Sequence, residues 1–170
     1  MKSTVTIRKL AWTVRGAVFL TALLVLQPLW AEHALIDLKI VSPHGQAEAF
    51  SDQEPPQGGV NPRPQLEVQT GAALVLNFIL TSAYPHGALK DIEVRYFVVR
   101  TSKVEQQKTP DLSKGTVTQG RVVMNLKPKA RVGARLSFEI DKPGTYRARV
   151  ETRNTKADHE HFSAIDLVVK

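Results

Sequence analysis

From Leu35 onward, apolar and polar residues alternate with a period of two. Ile36, Leu38 and Ile40 alternate with Asp37 and Lys39, and Leu66 and Val68 alternate with Glu67 and Gln69. Successive side chains of a strand point to opposite faces, so each run predicts a strand with one buried face. Leu74, Leu76, Phe78 and Leu80 form one face of a run whose other face carries Ala73, Val75 and Ile79. Being apolar on both sides, that run predicts a central strand. Ile92, Val94, Tyr96 and Val98 come next, followed by Val122, Met124 and Leu126. Val132, Ala134, Leu136, Phe138 and Ile140 then alternate with Gly133, Arg135, Ser137, Glu139 and Asp141. Tyr146, Ala148 and Val150 alternate with arginines, and Ile165, Leu167 and Val169 close the chain. No segment after residue 31 sustains a 3.6-residue period. About 7–8 short strands without helices predict an all-β fold, an antiparallel β-sandwich.

The first 31 residues break this pattern. Met1 to Gly16 carries Lys2, Arg8, Lys9 and Arg15 with no acidic residue, and an apolar run follows from Ala17 to Leu26. Gln27-Pro28-Leu29-Trp30-Ala31 ends it, which completes the order of an export signal. The run is shorter than the ~20 residues that a membrane-spanning helix needs. Residues 1–31 are therefore expected to be a signal peptide cleaved after Ala31, with no membrane span left and a periplasmic or secreted destination. Beyond it, residues 32–64 read as a first strand plus a Pro/Gly-rich arm, and 65–170 as the sandwich core, the two forming one domain. Ser42 to Pro64 holds five of the ten prolines together with Gly45, Gly58 and Gly59, which predicts an irregular or extended arm. Thr101 to Gly115 is polar and is expected to cross between sheets. Pro-His-Gly occurs at 43–45 and again at 85–87, each time just past a strand, as turn chemistry requires.

Composition narrows the function more than it identifies it. The formal charge of +7 loses four basic residues and no acidic one with the signal, leaving about +3 on mixed-sign sequence. That gives no electrostatic case for nucleic acid. With no cysteine, thiol catalysis, structural cysteine zinc sites and blue-copper centres are excluded. No Gly-x-Ser-x-Gly elbow, phosphate-cradling glycine loop or His-Glu-x-x-His helix is present, so no enzyme is expected.

Asp141-Lys142-Pro143-Gly144-Thr145-Tyr146 leads into the alternation Arg147-Ala148-Arg149-Val150. This stretch resembles the turn into the F strand of bacterial immunoglobulin-like modules, of the fibronectin type III and adhesion (CARDB-like) kinds. The resemblance implies an immunoglobulin-like antiparallel β-sandwich in which the tyrosine hydrogen-bonds back to the backbone at a sheet corner. Folds of this kind host many unrelated functions.

Two constellations carry candidate chemistry. Asp158-His159-Glu160-His161 would lie between strands F and G, and Tyr84-Pro85-His86-Gly87 between B and C, two loops at one end of such a sandwich. His33 precedes the first strand near that same end. His-x-His on extended backbone points both imidazoles one way, as chelation requires, and imidazole with carboxylate suits Cu(II) or Zn(II). The candidate metal ligands are thus His33, His86, Asp158, His159 and His161. These residues also resemble, more weakly, those of periplasmic copper-carrier proteins of copper resistance. Those sandwiches use a histidine near the mature N-terminus with an Asp and a His on a late loop. His33, Asp158 and His159 would be the counterparts, although no glycine separates Asp158 from His159. The blander account is a solvated polar loop.

The second constellation is Arg147, Arg149 and Arg153 on one face of the Tyr146 strand, with Glu93 and Arg95 on its expected neighbour. These form either a patch for an acidic glycan or protein partner, or cross-strand ion pairs on a solvated face. The sequence therefore points to an exported, non-catalytic binding or accessory module whose partner is an unknown protein or glycan. The alternative is a periplasmic copper- or zinc-binding protein. A structural subunit that exchanges a strand at a sheet edge, with 42–64 as the moving arm, is a third class.

Overall fold

The alternation closes into two stacked sheets. The computed structural model describes residues 34–51, 63–83, 87–101, 112–154 and 160–170, and nine strands lie among them. In chain order these are β1 (Ala34–Ser42), β2 (Gly45–Phe50), β3 (Gln65–Val68), β4 (Leu74–Ser82), β5 (Leu89–Arg100), β6 (Thr116–Leu126), β7 (Arg131–Phe138), β8 (Gly144–Asn154) and β9 (Glu160–Val169). One sheet has the order β2-β1-β4-β7 and the other β3-β9-β8-β5-β6. In immunoglobulin lettering, β1, β4 and β7 take the A, B and E places, and β9, β8, β5 and β6 take G, F, C and C′. Among the described residues, no helix is long and apolar enough to cross a membrane.

The expected core parity holds in both sheets. Ile36, Leu38 and Ile40 of β1 and Leu74, Leu76, Phe78 and Leu80 of β4 are buried from one side. Ile92, Val94 and Val98 of β5, Tyr146, Ala148 and Val150 of β8, and Ile165, Leu167 and Val169 of β9 meet them from the other. β4 is central, as its two-sided run predicts, with β1 and β7 on its flanks.

Three details differ from the sequence reading. A ninth strand, β2, occupies part of the presumed arm. It pairs antiparallel with β1 through the two-residue turn Pro43-His44, where Ser42 and Gly45 face each other. Ala47 and Ala49 are its buried residues, too small to register as an apolar alternation in a proline-rich stretch. Second, the five-stranded sheet is mixed rather than purely antiparallel. The chain enters it at Pro64, and β3 runs parallel to β9, held by bonds such as Asp166 N–H to the Pro64 carbonyl at 2.9 Å. Third, Tyr96, Leu136 and Met124 are half-buried rather than enclosed, and Val122 and Val132 are exposed.

The turn before β8 has the geometry that its sequence implies. The Tyr146 hydroxyl donates to the Lys142 carbonyl at 2.8 Å, the tyrosine corner expected there. Gly144 sits at φ +146°, and a β-carbon on it would come within 3.0 Å of the Arg100 guanidinium, which donates to the Pro143 carbonyl. The backbone conformation is what calls for glycine; the arginine end could shift aside. Gly120 serves a different purpose: it lies opposite Tyr96, whose ring occupies the space a side chain would need. Tyr146→Phe keeps the buried ring and deletes one half-buried hydrogen bond, so urea unfolding should show a loss of about 1 kcal/mol. An unchanged midpoint would show that the corner contributes nothing.

Candidate functional site

Strand pairings frame the end of the sandwich to which the histidine-bearing connections belong. Ala34 pairs with Ser82, Ile92 with Asn154, and Thr152 with His161. The start of β1, the end of β4, the start of β5 and the β8/β9 ends therefore gather at one end of the sandwich. This is the end to which the sequence assigned the B–C and F–G connections. His33, His86, Asp158 and His159 lie outside the described residues; His161 lies within them, partly buried on β9. Among the described residues, no three His, Asp or Glu side chains come together as metal ligands would.

The arginine constellation forms part of a ladder on the face of the five-stranded sheet that points away from the core. Across β5, β8 and β9 the rows read Val99-Arg147-Asp166, Phe97-Arg149-Ala164, Arg95-Glu151-Phe162 and Glu93-Arg153-Glu160. Asp166 receives two guanidinium groups: Arg147 Nε at 3.1 Å on one oxygen and Arg63 Nε at 2.9 Å on the other. Glu151 lies 2.8 Å from Arg149 Nε and 3.0 Å from Arg95 Nε. Arg95 also approaches Glu93, whose other oxygen accepts from Arg121 at 2.7 Å. The Arg149 guanidinium lies 4.0 Å from the centre of the Phe162 ring, a cation–π contact.

The face is ion-paired, as one of the two sequence readings held, but it is buried there and not solvated. Arg147 is 2% exposed, Arg149 4%, Glu151 1% and Asp166 0%, whereas Arg153 is exposed. Burial pulls the Arg147 guanidinium below its ordinary value, against the opposing charge and hydrogen bond of Asp166. With Phe97, Val99 and Ala164 also buried, this face is a second packed layer. Arg147 and Arg149 are enclosed in that layer, and of the three arginines only Arg153 is exposed.

The exposed surface lies elsewhere. β6 and β7 are edge strands of the two sheets and approach each other at one side of the sandwich. Val122 of β6 and Val132 of β7 carry core parity, since Val122 faces Val94 and Val132 faces Leu80 in register. They are nonetheless 44% and 37% exposed, and half-buried Met124, Tyr96 and Leu136 lie beside them. A groove of about 200 Å³ opens on the outer face of the four-stranded sheet. It is lined by Asp37, Lys39, Glu48, Phe50, Asn77 and Ile79, with the Lys39–Glu48 ion pair at 2.8 Å.

Sequence reasoning missed Asp166, Arg63 and Glu151. Asp166 had a signal, being a lone carboxylate in the apolar run Phe162–Val169 at an outward position. Its pairing with Arg147 depended on the β8/β9 register, which no local pattern carries. No protein-family model matches the chain, and no curated protein matches it. Among solved structures, the soluble domain of PmoD from Methylocystis sp. ATCC 49242 (Rockwell) is 12% identical. That match covers 79% of this chain and 90% of that one, at a TM-score of 0.44. A Bacteroides uniformis β-glucuronidase is 13% identical over 78% of this chain and 13% of its own, also at 0.44. A chitin binding domain from Burkholderia pseudomallei is 13% identical over 62% and 57%, at 0.35. Likeness at this level says nothing about ligand or activity.

The ladder makes a direct energetic statement. Asp166→Ala leaves Arg147 buried without its carboxylate and should cost about 3–5 kcal/mol in chemical denaturation. Lys170→Ala, which breaks the exposed pair with Glu67, should cost no more than about 1 kcal/mol. Similar losses in the two variants would mean that the ladder is not stabilised by its buried pairing.

Proposed function

We propose that the chain is an exported, non-catalytic accessory module of the immunoglobulin-like, adhesion-type kind, which binds a partner at its β6/β7 edge. The observation that carries this is the exposure of Val122 and Val132, side chains of core parity left open to water. Sandwiches normally cover such positions, and an uncovered apolar strip at a sheet edge is a recurrent mark of an interaction surface. The non-catalytic part is supported by the sheet face where charges gather: Arg147 with Asp166 and Arg149 with Glu151 are paired with each other and buried. A photo-crosslinking residue placed at Val122 or Val132 should give the same adduct from both positions in intact cells. Glu67, on the β3 edge at the far side of its sheet, should not give that adduct. Equal adducts from all three positions, or none at all, would count against the edge as the binding surface.

A second reading, binding of Cu(II) or Zn(II), is supported by the pairings of Ala34 with Ser82 and Ile92 with Asn154, because the strands flanking the histidine-bearing connections end together. Neutral imidazole is the ligand, so affinity should fall steeply below about pH 6. Calorimetry on untagged protein and on a His159→Ala/His161→Ala variant tests it. Equal binding by both proteins would dismiss that reading.

A further inference from the structure

We infer that the occupant of the β6/β7 edge is an extended, acidic segment of a partner protein, added as a strand alongside β7; this rests on the edge being the binding surface. β7 pairs with β4 on one side and has no strand on its other side among the described residues. Its outward backbone groups are therefore a template for strand addition. A strand laid there would alternate. Its inward side chains would fill the gap between Val132 and Leu136 of β7 and Val122 and Met124 of β6. Its outward side chains would flank Arg131 and Arg135, between which Gly133 has no side chain and leaves room.

Charge decides what those outward residues must be. From Leu112 to Phe138 the chain carries Lys114, Arg121, Lys127, Lys129, Arg131 and Arg135 and not one acidic residue. Arg121 is engaged with Glu93, and Arg131 comes only within 4.0 Å of Asp37 while remaining 64% exposed. Lys127, Lys129 and Arg135 make no ion pair among the described residues. Opposite charges directly across a strand pair stabilise it and like charges destabilise it. A second copy pairing β7 with β7 would set four arginines against one another, so self-association is disfavoured. A flat anionic membrane would meet the arginines but could not reach Val122 and Val132, which face into the gap between the sheets. The same apolar strip gives nothing to a phosphate backbone. An acidic strand with alternate apolar residues satisfies the strip, the free backbone and the charge together.

Three nine-residue peptides test this on the purified protein: alternating valine with glutamate, with serine, or with lysine. The glutamate peptide should bind and slow amide exchange along β7, at least tenfold more tightly than the serine peptide, with affinity falling as salt rises. The lysine peptide should not bind. In an Arg131→Glu/Arg135→Glu variant the preference should reverse toward lysine; the three-peptide ranking on the unaltered protein stands even if that variant does not fold. Serine and glutamate peptides binding β7 equally would overturn the acidic partner and leave the edge as a docking surface. Protection by no peptide, with binding to vesicles containing anionic lipid or a dimer protected at β7, would overturn the strand-addition proposal outright.

Discussion

A buried carboxylate is the constraint around which the five-stranded sheet is organised. Asp166 sits on β9 with no solvent exposure, and a charge so placed must be met by opposite charge. Two guanidinium groups meet it, from Arg147 on β8 and from Arg63 just before β3. The pairing therefore ties the consecutive strands β8 and β9 to a piece of chain 103 residues away. It fixes where the chain enters the second sheet, and with it the parallel alignment of β3 on β9. Removing one partner leaves the other charge stranded, so the cluster specifies register more effectively than it adds stability.

The second charged group, Arg149-Glu151-Arg95-Glu93, extends that layer across β8 and β5 toward β6. It lies opposite the inter-sheet core, so β5, β8 and β9 bury side chains on both faces, while β6 and the four-stranded sheet keep a solvated outer face. That asymmetry separates two kinds of arginine. Arg147 and Arg149 are structural, whereas Arg131 and Arg135 lie exposed on an edge strand beside uncovered apolar side chains. Mixed-sign composition averages over the difference: a chain of modest net charge carries a buried, balanced layer and an exposed, one-signed edge.

Much of this was legible from the sequence. The two-residue period located eight of the nine strands and their buried parity, and Pro143-Gly144-Thr145-Tyr146 announced the tyrosine corner. The common end of the strands around the B–C and F–G connections also followed from the strand order. β2 was missed because Ala47 and Ala49 bury too little apolar area to stand out. Met124, Leu136, Val122 and Val132 have the right parity, yet parity says which face a residue occupies and not whether another sheet covers that face.

The sequence by itself determined the class: strands, an inner face and a corner, because these depend on residues two to six apart. It also determined that no thiol chemistry is available. Tertiary structure alone decided which charges are buried, since Arg147 finds Asp166 only through the β8/β9 register and Arg63 only through the placement of β3. It also decided where the sandwich stays open, because Val122 and Val132 have core parity yet stay exposed where the edge strands β6 and β7 meet. Both are consequences of pairing between segments from 19 to 103 positions apart, beyond the reach of any local pattern.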